Sequence, residues 1–169
     1  MQVLDDEGRR LDQIWQWEMN RLEGRHNYIQ WLFPTEESSY FNPQAPVLSN
    51  GDVEAFKKDK DLQLRLLRSF EMMLRFYGFK IMVEDNKPVI KPGKNWSEQS
   101  KNWLKPHNHN FFRITRIINS LHTLGLKSHA QAFYDALEEL CAKDAFIAEI
   151  IGPITRMYWK RAVTGTLEA

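Results

Sequence analysis

Between residues 66 and 77 the apolar side chains Leu66, Leu67, Phe70, Met73, Leu74 and Tyr77 recur at intervals of three and four, and Gly78 then interrupts the run. That period places them on one stripe of an α-helix, which is stable in water only if something covers the stripe. The same period returns downstream. Phe111, Ile114, Ile117, Ile118, Leu121 and Leu124 precede Gly125, and Phe133, Ala136, Leu137 and Leu140 follow. Phe146, Ile147, Ile150, Ile151, Ile154, Met157 and Tyr158 form the last series. Amphipathic stripes of this kind can cover one another. The expected fold is therefore all-α, a single domain over residues 1–169 with about seven helices.

The remaining segments are less regular. Leu11, Ile14, Trp15, Met19 and Leu22 trace one helical face over residues 11–22, with Gly24 as the stop. Tyr28, Trp31 and Leu32 share one side of a second short helix that Pro34 cannot extend. Three prolines between residues 34 and 46 read as an irregular connection. Ser49 with Asp52 resembles a capping box, and Asp59 can cap a fresh start after a charged interruption. Residues 79–91 alternate instead, which predicts a small β-hairpin or extended excursion, although Pro88 weakens a strand there. A short helix is expected over residues 97–104, Ser128 is the expected cap of the next helix, and Gly152-Pro153 should break or kink the last one.

Charge and motif content narrow the function classes. The formal charge of +1 supplies no global field for nucleic acid or anionic lipid. Lys57, Lys58 and Lys60 are interleaved with Asp59 and Asp61, so no nucleic-acid partner is expected. Cys141 is the only cysteine, which excludes an intrachain disulfide, and no apolar run approaches the ~18–20 residues of a transmembrane helix. The acidic N-terminus lacks signal-peptide character, so an intracellular, cytoplasmic and soluble protein is the expectation. There is no nucleophile elbow, dinucleotide fingerprint or phosphate loop, so no catalytic residue is assigned and no cofactor is expected.

Two constellations remain as candidate ligand-binding sites. His109, Arg113 and Arg116, with Ser120 beyond, lie on one stripe beside the apolar face of their helix. Two guanidinium groups one turn apart can grip a carboxylate or phosphate; alternatively they form a solvated face or pair with neighbouring acids. Tyr28, Trp31 and Phe33 could line a groove for an aromatic or apolar ligand with Gln30 as polar orienter, but packing into the core is the favoured reading. His107 and His109 are too few for a metal site without further ligands, and none is assigned. Cys141, beside Leu137 and Leu140, reads as a small core filler.

The run His26-Asn27-Tyr28-Ile29-Gln30-Trp31-Leu32-Phe33-Pro34 closely resembles the signature of the opioid growth factor receptor conserved region. The resemblance continues in order through Asn42-Pro43, Ala45-Pro46, Val53-Glu54-Ala55-Phe56-Lys57 and Phe76-Tyr77-Gly78. It closes with His109-Asn110, Arg113-Ile114-Thr115-Arg116-Ile117 and Leu124-Gly125-Leu126. It spans roughly residues 11–163 and reads as the bare module, without the repeats that follow it in some vertebrate members. What the resemblance implies is receptor activity toward a small peptide, Met-enkephalin, and an association with nuclear or perinuclear membranes. A pentapeptide of that kind needs a slot for its rings and a cation for its terminal carboxylate, for which Tyr28, Trp31, Phe33 and Arg113 or Arg116 are candidates. An intracellular protein–protein interaction module, and an enzyme or small-anion binder using His109, Arg113 and Arg116, stay open beside it.

Overall fold

The computed structural model describes residues 4–167. Its element order is α1 (Leu11–Ile14), α2 (Met19–Gly24), α3 (Ile29–Leu32), α4 (Asn50–Lys58), α5 (Lys60–Tyr77), β1 (Phe79–Glu84) and β2 (Lys87–Pro92). Then come α6 (Trp96–Trp103), α7 (Asn110–Thr123), α8 (Lys127–Lys143) and α9 (Ala145–Thr164). The domain is mostly helical with one small antiparallel sheet, close to the expectation though richer in short helices. No helix among the described residues is long and apolar enough to cross a membrane.

Helices α7, α8 and α9 pack mutually, β2 lies on α8, and α5 reaches β1 and α6. The core runs through all of them and is unusually aromatic. Tyr77 meets Trp103 edge-on at 5.5 Å, Phe70 meets Phe133 at 5.5 Å, and Phe111 meets Trp159 at 6.0 Å. Both buried indoles keep a hydrogen bond, Trp103 Nε1 donating to Tyr77 O at 2.9 Å and Trp159 Nε1 to Phe111 O at 3.2 Å. These rings therefore lose water without losing polar partners.

Local chemistry sets the element boundaries. Ser49 and Asp52 form the reciprocal capping box at α4, and the Asp59 carboxylate accepts from Asp61 N and Leu62 N to restart the chain as α5. Gly78 ends α5 at φ 92°, a left-handed conformation that costs glycine little. The hairpin closes through Asp85 and Asn86, at φ 49° and 61°, as a two-residue turn. Pro88 faces Val83 and Pro92 faces Phe79. Counted from the closing pair Glu84–Lys87, both prolines fall at non-hydrogen-bonded pairs, so neither interrupts the ladder.

Two expectations are corrected. The single helix over residues 11–22 is two, because Trp15 and Trp17 seek different partners. Trp15 Nε1 donates to Ser69 Oγ at 2.9 Å under the Arg68 guanidinium, while Trp17 meets Tyr28 edge-on at 5.4 Å with Arg21 over its ring. Ser128 does not cap α8, which begins one residue earlier after Leu126 with no side-chain cap. The last helix does bend where expected: Gly152 at φ 79°, ψ 159° and Pro153 split α9 in two.

A substitution pair checks the left-handed stop. A Cβ on Gly78 would come within 3.0 Å of Trp96 Cα, whereas one on Gly24 meets nothing within 4 Å. Gly78→Ala should cost about 1–3 kcal/mol in denaturant unfolding. Gly24→Ala should change stability by no more than about 1 kcal/mol. Equal effects would contradict the geometry.

Candidate functional site

The apolar stripe of α7 enters the core through Phe111, Ile114, Ile117, Ile118 and Leu121, which turns Arg113 and Arg116 toward α2, α3 and the chain leaving them. The two arginines do different things. Arg113 is only 5% exposed and spends its donors on main-chain carbonyls at the end of α2. Its Nη1 donates to Leu22 O at 3.0 Å and to Asn110 Oδ1 at 3.2 Å, and its Nη2 donates to Arg25 O at 2.7 Å. Those carbonyls have no acceptor role left inside so short a helix, so the guanidinium caps it from outside. Glu23 Oε2 stands 3.9 Å away, and the Tyr28 ring lies 5.5 Å beneath.

Asn110 completes this network. It is fully buried, donates from Nδ2 to Glu23 Oε2 at 3.1 Å, and accepts on Oδ1 from Arg113 and, at 3.5 Å, from Tyr77 Oη. Burial pushes the Tyr28 phenol up to about 12 and raises Tyr77 well above its ordinary value, partly offset by the Arg113 charge, so both stay neutral donors. Tyr28 Oη donates to Leu22 O at 2.9 Å.

Arg116 is held by one hydrogen bond, Nε to Phe33 O at 2.8 Å, while Ser120 Oγ donates to Pro34 O at 2.8 Å one turn on. Its Nη2 is buried with no partner. Burial is the main reason its pKa falls to about 10, with Glu37 pulling the other way. At neutral pH it is a charged, incompletely satisfied cation. It borders a cavity of about 360 Å³ that His26, Ile29, Gln30, Phe41, His109, Phe112 and Arg113 also line.

The structure thus gathers His109, Arg113 and Arg116 around one space, and of the three only Arg116 has a buried donor without a partner. His109 precedes α7 and pairs with Glu23 at 3.2 Å, and its ring meets His26 edge-on at 4.9 Å. Burial first, then the Arg113 charge, lowers the His26 pKa; in His109 burial also leads, opposed by Glu23. Tyr28, Trp31 and Phe33 do not line one groove together. Tyr28 and Phe33 are fully buried in the core. Trp31 lines a separate cleft of about 200 Å³ with Leu11, Phe56 and Ser69, and its indole Nε1 has no partner there. Cys141 is buried on α8, which pushes its thiol up, and it does not line the cavity. No group of three or more metal-ligating side chains stands together among the described residues.

Sequence reasoning missed Phe41, Phe112 and His26. Phe112 carried a signal, since it lies on the side of α7 opposite the apolar stripe, and it is 69% exposed. Phe41 follows Tyr40 in an irregular segment, and the two rings stack edge-on at 5.7 Å with 76% and 91% exposure.

A mostly helical domain, whose signature segment is stapled by main-chain hydrogen bonds to a helix bearing paired arginines, is the kind of protein this geometry defines. The chain belongs to the opioid growth factor receptor (OGFr) conserved region family, whose model matches residues 7–154. It is similar to the opioid growth factor receptor of Mus musculus, 45% identical over 121 residues, covering 71% of this chain and 18% of that protein. The Homo sapiens opioid growth factor receptor is 42% identical over 121 residues, covering 71% and 17%. Opioid growth factor receptor-like protein 1 of Xenopus tropicalis is 34% identical over 137 residues, covering 81% and 25%. The match therefore spans a quarter or less of the length of these relatives. No solved structure matches.

The division of labour between the arginines gives a stability test. Arg113→Gln strips donors from the Leu22 and Arg25 carbonyls and should cost about 2–5 kcal/mol in denaturant unfolding. Arg116→Gln removes a desolvated, half-satisfied cation and should cost less than about 1 kcal/mol, or stabilise. The reverse order would refute the assignment.

Proposed function

We propose that this chain is the ligand-binding module of an opioid growth factor receptor-like protein and takes an anionic group of a short peptide at the Arg116 cavity. The observation that carries this reading is the buried Arg116 Nη2 with no partner. An unpaired guanidinium donor in a partly water-excluded space costs stability, and an anion that reaches it is bound more strongly than it would be at an open surface. The cavity volume of about 360 Å³ falls within the ~300–1,000 Å³ of small-ligand clefts. Relatives are named as receptors for opioid growth factor, which makes a peptide the first ligand to consider. The signature segment supplies both core and wall. Tyr28, Leu32 and Phe33 are buried, while His26, Ile29 and Gln30 line the cavity.

A second reading rests on Tyr40, Phe41 and Phe112. These exposed rings stand at and beside the cavity mouth, so the same site could receive a segment of a larger protein. Free pentapeptide and protein-borne segment then compete for one place.

Calorimetric titration with a Met-enkephalin-like pentapeptide checks the proposal. Arg116→Gln should weaken binding about tenfold or more while the helical signal is unchanged. Equal affinity in a folded variant would reject the site. Acidity supplies an independent check. The lowered pKa values of His26 and His109 leave both neutral at pH 7. Below their ordinary value of about 6.5 the unfolded chain takes up these protons before the folded chain does, so stability should decline as pH falls from 7 to 5. Once protonated they add positive charge to the cavity, so a carboxylate ligand should bind more tightly at the lower pH. Loss of affinity on acidification would contradict the placement of these rings.

A further inference from the structure

Arg116 Nη2 is not alone in lacking a partner in this cavity. Gln30, on α3, lines the same space and is 5% exposed, and its Oε1 is buried with no hydrogen bond. Its Nε2 reaches Ser39 Oγ at a long 3.5 Å. Two residues that line the cavity thus each hold a buried polar atom without a partner, one a cationic donor and one a neutral acceptor. A buried amide oxygen left without a donor is unfavourable, and a fully ionised anion, having only acceptors, leaves it so. A ligand that satisfies both carries an anionic acceptor with an N–H a few bonds away. The last residue of a peptide has that pair, its α-carboxylate and its own backbone N–H. Phe41 and Phe112 supply exposed apolar surface beside these groups for the last side chain.

We propose that the cavity captures the free carboxyl terminus of a peptide, with Arg116 holding the carboxylate, Gln30 Oε1 accepting the N–H of the same residue, and an apolar terminal side chain resting between Phe41 and Phe112. This rests on the anionic-peptide reading above and adds the end of the chain that is recognised. An internal acidic side chain could reach Arg116 but sets its carboxylate at least one bond further from its own N–H than a terminal carboxylate does. Blocking the carboxylate removes the charge and keeps every other atom of the peptide, so the acid–amide contrast isolates the claim.

The test titrates three probes into the full chain: N-acetyl-Gly-Phe-Leu as the free acid, the same tripeptide as its C-terminal amide, and acetate. The acid should bind about tenfold or more tightly than the amide. Gln30→Leu should weaken the acid about fivefold to tenfold and leave acetate unchanged, because acetate offers no N–H. Gln30→Met, which keeps side-chain length, should repeat that result should the leucine variant lose its helical signal. Equal binding of acid and amide overturns terminal capture, and the anionic site then stands only if acetate still binds and Arg116→Gln abolishes that binding. Failure of all three probes overturns both. Equal loss of acid and acetate in the Gln30 variants removes Gln30 from the recognition and overturns the paired-contact geometry.

Discussion

The fold around the cavity hangs on a set of side-chain donors aimed from one helix at the main chain of another segment. Arg113, Arg116 and Ser120 occupy successive turns of α7 and donate to the carbonyls of Leu22, Arg25, Phe33 and Pro34. They fasten the entry and exit of the signature, while Tyr28, Leu32 and Phe33 fill the space between. Burying a guanidinium is costly, and Arg113 recovers that cost through several good acceptors and a nearby carboxylate. Arg116 recovers less. The same stripe thus holds one arginine with both terminal nitrogens bonded and one with a buried terminal nitrogen left unpaired.

This arrangement explains why paired arginines at helical spacing mislead when read as a symmetrical clamp. Their spacing does bring both to one space. What decides their roles is the position of carbonyl oxygens 83 to 91 residues earlier in the chain. Every residue carries a carbonyl, so that acceptor leaves no mark in the sequence. The stripe of His109, Arg113 and Arg116 was therefore legible as geometry, and the difference between its members was not. Phe112 was legible in retrospect, as an aromatic ring out of phase with its helix. Phe41 and His26 belong to irregular segments whose placement follows from tertiary contacts alone.

For the fold, the long elements followed from period and punctuation. Gly78, Asp59, the Ser49–Asp52 box and the Gly152-Pro153 break each act within a few residues, so local chemistry sufficed. The hairpin followed from alternation, and its prolines proved compatible because both sit where no ladder bond is required. The division into α1 and α2 could not be read in the same way. Leu11, Ile14, Met19 and Leu22 satisfy one helix or two, and the choice is made by Ser69 and Tyr28 reaching Trp15 and Trp17 from elsewhere.

The connection that carries Tyr40 and Phe41 has its two ends tied together. Thr35 bridges Val47, Leu48 N donates to Thr35 O at 3.0 Å, and midway Asn42 Nδ2 donates to Asn27 O at 3.0 Å. The loop is thus closed at its base and pinned by Asn42, with one long contact from Gln30 Nε2 to Ser39 Oγ, while Tyr40 and Phe41 stay exposed. Inheritance can then act on the two regions separately. Residues 38–41 can exchange, lengthen or shorten without unsettling the helices, because the energetic link between tip and scaffold passes through a few fixed hydrogen bonds. A lineage could retune what the cavity admits by editing that tip, leaving the stapled signature intact as a shared chassis.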